Sequence, residues 1–117
     1  MKYLALILFS VLLVSCKIDT DQIINSNESI KINTFNNGTQ TNEYSLNQSD
    51  GKYIKFISWV NANKQGWEPT LVTYAPSLLV SGKNFSFNFM GGDVVVNCES
   101  GQFAKKIQPE EYEFLRK

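Results

Sequence analysis

Apolar residues follow three different patterns along the 117-residue chain. Residues 4–14 form one run of apolar and small residues, residues 17–27 are mostly polar, and apolar and polar residues alternate in short segments after that. The first run is shorter than the roughly 20 residues that span a bilayer, and so a transmembrane anchor is not predicted. The later alternation is typical of a strand-rich folded domain. We therefore predict a single domain over residues 28–117.

Tight turns join most of the predicted strands. Ile30 and Ile32 alternate with polar residues before Asn37-Gly38, a pair that favours the positive φ angles of a two-residue hairpin. The returning strand, Thr39–Leu46, is polar and is predicted to lie at a sheet edge. Further strands are predicted over residues 71–74, 78–80, 84–90, 93–98 and 102–107, with a Gly91-Gly92 hairpin turn.

One segment has a helical period. Apolar residues recur at three- and four-residue spacing from Tyr53 to Val60, after a candidate N-cap at Asp50 and before a stop at Gly66. The segment is also rich in strand-forming residues, but two-residue alternation fails within it. We predict a helix over residues 51–65.

Hairpins with one inserted helix predict an α+β domain. We expect a small antiparallel β-sheet of hairpins with the helix packed on it, and a short C-terminal helix that begins at Pro109. Phe85, Phe87 and Phe89 point to one side of their strand. These three rings are expected to lie in the core beneath the helix.

Composition limits the chemistry. The chain has no histidine, and its 11 acidic and 11 basic side chains balance. The absence of histidine removes Ser-His and Cys-His nucleophilic pairs and most zinc sites, and the neutral balance gives no basic footprint for nucleic acid. Glu68, Asp93 and Glu99 are the carboxylates nearest predicted elements, but their spacing is that of solvated turn residues. We expect no enzyme activity, no metal, no cofactor and no nucleic-acid partner.

The N-terminal run ends in Leu13-Val14-Ser15-Cys16. These residues resemble a bacterial lipoprotein signal peptide that ends in a lipobox. The resemblance implies that residues 1–15 are removed by cleavage between Ser15 and Cys16. It further implies that Cys16 is acylated and that its acyl chains anchor the protein in a membrane.

Residues 16–27 then form the lipidated N-terminus and a flexible tether, which reaches about 18 Å as a coil. In Gram-negative lipoproteins, Asp after the acylated Cys is associated with retention in the inner membrane, and here that residue is Lys17. The resemblance therefore favours the outer membrane, with the domain facing the periplasm. Cys98 would have no intramolecular partner there, and we expect it to be buried in its strand rather than exposed as a thiol.

The overall plan resembles the periplasmic immunity lipoproteins that accompany type VI secretion effectors, and more distantly the small lysozyme-inhibitor lipoproteins. This resemblance implies a binding protein that blocks a toxin or hydrolase by covering its active site. Trp59, Trp67 and Tyr74 lie at element boundaries and are the expected partner contacts, because Trp and Tyr are enriched in interface hot spots. Replacing Trp59 or Trp67 by Ala is expected to weaken binding by about 2 kcal/mol or more without unfolding the domain.

Two other classes stay open. A structural or assembly lipoprotein of the cell envelope or of a secretion system would be held in its complex through an exposed edge strand. A small-ligand binder would need an apolar cavity, which a domain of this size can only just enclose.

Overall fold

A computed structural model describes residues 29–71 and 74–116. The predicted signal peptide 1–15, the tether 16–27, and Ser15, Cys16 and Lys17 lie outside the described residues. The described elements, in chain order, are β1 (Ile30–Asn36), β2 (Thr39–Leu46), α1 (Gly51–Ala62), β3 (Glu68–Pro69), β4 (Leu78–Ser81), β5 (Ser86–Met90), β6 (Asp93–Cys98), β7 (Gly101–Lys106) and two 3-10 turns (Pro109–Glu111 and Glu113–Leu115).

The described strands form one antiparallel sheet in the order β2-β1-β4-β5-β6-β7-β3. Four of the neighbouring pairs are sequential hairpins, and α1 connects β2 at one edge of the sheet to β3 at the other. This mostly antiparallel sheet with one helix agrees with the predicted α+β class. The predicted edge position of β2 is confirmed.

The predicted tight turns are confirmed. Asn37 and Gly38 have φ angles of 53° and 81°, the two positive values that a type I′ hairpin turn requires. Gly91 has φ 55° and joins Met90 to its directly paired partner Asp93. Both turns depend on the φ angles that neighbouring residues can adopt, and so the short sequence motifs were sufficient to predict them.

The helix ends three residues before the predicted limit of 65. Asn63 leaves the helical region with φ −118° and ψ 40°, and its side-chain Nδ2 donates a hydrogen bond to the Trp59 carbonyl oxygen at 2.8 Å. A side chain that bonds the preceding turn competes with further helical backbone bonds. Asp50 occupies the N-cap position, but its carboxylate accepts from the Asn47 backbone N–H instead of capping α1.

The core lies between α1 and one face of the sheet. Phe87 is fully buried at its centre, with its ring edge-on to Phe56 at 5.3 Å and to Phe85 at 5.7 Å between centroids. Phe89 is also buried and stacks on Tyr112 of the C-terminal segment at 4.7 Å. The predicted burial of the three alternating Phe side chains is therefore confirmed.

The C-terminal segment forms two 3-10 turns in place of the predicted helix. Pro109 begins the first turn, and the Glu111 carboxylate accepts a hydrogen bond from the Gln108 backbone N–H at 2.7 Å. Tyr112, at φ −117°, interrupts helical geometry between the two turns. At this break the Tyr112 ring stacks on Phe89 of the core, and its hydroxyl donates a hydrogen bond to the Gly91 carbonyl oxygen at 3.1 Å.

The predicted strand over residues 71–74 is wrong at the positions that the structure describes. Leu71 and Tyr74 lie outside strands, and β3 is a two-residue strand at Glu68–Pro69 that pairs with β7. The chain must travel from this edge to β4 in the middle of the sheet, and so it leaves the ladder after Thr70. The order of the strands therefore overrides local strand propensity here.

Candidate protein-binding surface

Trp59 joins α1 to the C-terminal turns. Its indole Nε1 donates a hydrogen bond to Glu111 Oε1 at 2.9 Å, and its ring lies 5.5 Å from Phe89 and 6.2 Å from Phe87. The side chain is half-buried. Trp59 thus covers one border of the core and exposes only part of its ring.

Trp67 is buried, with 1% of its surface exposed, and the expectation of an exposed Trp67 is wrong. Its ring packs edge-on to Phe87 at 6.3 Å, and its indole Nε1 donates to the Asn63 carbonyl oxygen. The Lys105 ammonium lies 5.9 Å from the ring centroid. Trp67 fills the space between the end of α1 and β7, a contact between distant segments that sequence position did not reveal.

Tyr74 lies on the other side of the sheet. Its hydroxyl accepts a hydrogen bond from Asn97 Nδ2, and Asn97 points away from α1 because its neighbour Val96 enters the core. The structure therefore separates the three predicted contact residues. Trp59 and Trp67 belong to the helix side, and Tyr74 belongs to the opposite side.

The described residues cover the sheet face opposite α1 only in part. We call it the open face and define it by the half-buried side chains of Tyr74, Leu79, Ser86, Asn97 and Gln102. The four of these residues that lie in strands are cross-strand neighbours or alternate with core residues, and so the regular ladder fixes their positions. Tyr74 lies outside the strands and is held there by its hydrogen bond with Asn97.

A buried amide underlies the open face. Asn88 is 4% exposed, and its Nδ2 donates to the Val95 carbonyl oxygen at 3.1 Å and to Ser86 Oγ at 3.2 Å. Val95 beside it is also buried. Hydrogen bonding of a buried amide holds the neighbouring strands in one register, and this makes the open face a preformed surface.

A cleft of about 310 Å³ borders the open face at the edge of β7. It is lined by Gly66, Glu68, Asp93, Ala104, Lys105 and Lys106. Lys106 Nζ lies 2.9 Å from Asp93 Oδ1, whereas Glu68 has no ion-pair partner among the described residues. Two of the three carboxylates noted in the sequence thus share this cleft, and Glu99 lies in the β6–β7 turn.

The Lys105 side chain takes no part in the ion pair between Lys106 and Asp93. Its Nζ donates to the Gln65 carbonyl oxygen at 2.7 Å and to Asn63 Oδ1 at 3.0 Å. The last turn of α1 has no basic residue of its own. Lys105 therefore supplies the positive charge that favours a helix C-terminus, a role that sequence spacing could not show.

The outer edge of β2 is polar and exposed. Lys31 Nζ lies 3.1 Å from Glu43 Oε1, and this hydrogen-bonded ammonium, with help from Gln40, lowers the pKa of the Glu43 carboxyl below its usual 4.5. The Glu43 backbone N–H donates to Asn42 Oδ1 at 2.9 Å. This edge N–H is therefore already engaged, which opposes pairing with a further strand.

Cys98 is half-buried and packs against the core, and so the expectation of a buried Cys98 is met only in part. It is the last residue of β6, and its Sγ lies 3.2 Å from Ser100 Oγ. The β6–β7 turn that follows it leaves one side of the thiol open, because the sheet ends there.

No protein-family model matches the chain, and no curated protein or solved structure matches it. Within residues 29–71 and 74–116, no group of three His, Cys, Asp or Glu side chains is placed to hold a metal ion. The helix in this part of the chain is not long and apolar enough to cross a membrane.

Proposed function

We propose that the protein is a lipid-anchored periplasmic binding protein of the immunity or inhibitor class. It blocks a toxin or hydrolase by covering that protein's active site. The observation that carries the proposal is Leu13-Val14-Ser15-Cys16 behind a short apolar run. Acyl chains on Cys16 would hold the domain at the membrane, and Lys17 favours the outer membrane, where an incoming toxin is met.

The open face supports this proposal as the docking surface. The helix side of the sheet is filled by α1, Trp67 and the C-terminal turns, whereas Tyr74 and Leu79 on the open face keep part of their surface in solvent. A preformed strand surface loses little conformational entropy on binding. A docked partner would bury about 800 Å² on each side, as specific interfaces do.

Calorimetry tests the function directly. Residues 17–117 are purified without the lipid and titrated with the product of the neighbouring gene, with an unrelated secreted hydrolase as the control. We expect tight one-to-one binding to the neighbour alone, together with loss of its toxicity in cells. Absence of binding would refute the immunity proposal for this pair.

Two substitutions test the docking surface. Tyr74→Ala and Leu79→Lys are expected to weaken binding by about 2 kcal/mol each, the cost typical of a hot spot. Ile54→Ala is the matched control, because Ile54 is 57% exposed on α1 and away from the open face. Urea unfolding of each variant confirms that it is folded. Unchanged affinity in both open-face variants would refute the assignment of the surface and leave the calorimetric result standing.

A second candidate is a structural or assembly lipoprotein, and the position of β2 at the sheet edge favours it. This role predicts a stable partner in the same cell when no toxin is present, detectable by crosslinking in intact cells. The engaged Glu43 N–H counts against strand addition at β2. We therefore place the immunity function first.

A further inference from the structure

Leu71 is the most exposed large apolar side chain among the described residues, with 98% of its surface in solvent. Ile54 follows at 57% and lies in the first turn of α1. Scattered apolar residues are common on protein surfaces, and exposure alone assigns no role. The position of Leu71 in the sheet supplies the second observation.

The strand register places Leu71 at the end of the sheet where the chain enters the domain. β1 begins there at Ile30, directly after Ser29. Residues paired across the sheet at this level are, in order, Lys31, Ser81, Ser86, Asn97 and Gln102. The Gln102 carbonyl oxygen accepts from the Thr70 N–H at 3.0 Å, and Leu71 is the next residue.

We call this the anchor end and define it by Ser29, Leu71, the β2–α1 turn over residues 47–50, the turn over residues 82–85 and the turn over residues 99–100. The opposite end holds the Asn37-Gly38 turn and the Gly91-Gly92 turn. Pro109–Glu111 also lies at that opposite end, because the Ile107 N–H donates to the Gly92 carbonyl oxygen.

We propose that the anchor end rests on the bilayer that holds Cys16, with the Leu71 side chain inserted at the boundary between headgroups and acyl chains. The inference rests on the proposed lipid anchor. Lys83 and Glu99 are exposed in two turns of this end and their charges offset each other, and the β2–α1 turn adds only the carboxylate of Asp50. The apolar Leu71 side chain therefore drives the contact, and anionic headgroups do not.

Because the domain is tethered in this proposal, one inserted side chain is sufficient to hold the anchor end on the membrane. A free domain with a single exposed Leu would not stay on a membrane, because one small apolar group gives only weak binding. The tether predicted for residues 16–27, about 18 Å as a coil, would keep the anchor end close to the surface, and contact would then be an intramolecular event at high effective concentration. Docking of the anchor end also turns the opposite end of the sheet away from the membrane and leaves the open face accessible from the side.

Quenching by brominated lipid tests this arrangement in the mature, acylated protein that begins at Cys16. Leu71→Trp places a reporter at the anchor end, and Glu110→Trp places the matched reporter at an exposed site of the opposite end. Each protein is reconstituted in vesicles of phosphatidylethanolamine and phosphatidylglycerol. A second set of vesicles also contains phosphatidylcholine that carries bromine in its acyl chains. The wild type, with Trp59 and Trp67 alone, gives the background.

We expect a loss of fluorescence in brominated vesicles for Leu71→Trp beyond that of the wild type, and none beyond it for Glu110→Trp. If the protein floats with the vesicles but the two reporters are quenched equally, or neither is quenched, the membrane contact of Leu71 is refuted and the lipid anchor is not. Weaker partner binding by the Leu71 variant without quenching would overturn it in favour of a protein contact. Protein that fails to float with the vesicles would overturn the lipid anchor and this inference together.

Discussion

Replacing Trp67 by Ala removes the largest fully buried side chain among the described residues. The ring is 1% exposed, lies edge-on to Phe87 and is in contact range of the Lys105 ammonium. Its indole N–H also bonds the Asn63 carbonyl oxygen just after α1. The substitution therefore opens a cavity and breaks a hydrogen bond at the same place.

The expected loss of stability is large for a domain of this size. Removing a buried Trp ring costs about 3–5 kcal/mol through lost transfer energy and the remaining cavity. The lost hydrogen bond accounts for about 1 kcal/mol of additional destabilisation. Small domains have unfolding free energies of about 5–15 kcal/mol, and so Trp67→Ala removes about a quarter or more of the stability. Trp67→Phe keeps a ring and should cost about 1–3 kcal/mol.

Urea unfolding of residues 17–117, followed by far-ultraviolet circular dichroism, measures these losses. With a slope of about 1.5 kcal/mol per M, the Ala variant should unfold at a midpoint about 3–4 M lower than the wild type. A midpoint within about 0.5 M of the wild type at unchanged slope would show that Trp67 is not in the core. If Trp67→Ala left stability unchanged and weakened partner binding, Trp67 would be a partner contact, as its position in the sequence suggested.

Two further predictions concern polar contacts. Burial raises the pKa of Tyr44, whose hydroxyl donates to the Leu115 carbonyl oxygen, above its ordinary 10.0. The unfolded chain loses the Tyr44 proton at a lower pH than the folded protein does. The contribution of this group to the unfolding free energy is therefore fully present below pH 10 and falls as the pH rises beyond it. Tyr44→Phe should reduce that fall in urea unfolding measured up to about pH 11. Lys105→Met should lower the unfolding free energy by about 1–2 kcal/mol through loss of its bonds at the end of α1. Lys106→Met, which loses only an exposed pair with Asp93, should cost under about 1 kcal/mol, and equal losses would contradict the helix role.

Local patterns predicted what local forces decide. Asn37-Gly38 and the Gly91 turn follow from the φ angles that these residues tolerate, and both are present. The helical period predicted α1, although its end depends on the Asn63 side chain. Turn positions and alternation were sufficient for the antiparallel α+β class.

The binding surface required long-range information. Trp67 and Tyr74 are only seven residues apart in the chain, but they lie on opposite sides of the sheet. Nothing in their local sequence separates them, because the side is decided by where β3 pairs. β3 pairs with β7 at the far edge, and by Tyr74 the chain lies against the open face, where the Tyr74 hydroxyl accepts a hydrogen bond from Asn97.

The sequence by itself determined the turns, the alternating core residues of β5, the absence of histidine and the lipobox resemblance at Cys16. Each of these is a property of neighbouring residues. The tertiary structure alone decided that Trp67 is buried, that Lys105 serves the end of α1 and that Leu71 shares an end of the sheet with Ser29. These features depend on pairing between strands distant in the chain, and such pairing is selected by the burial and hydrogen bonding of the whole sheet.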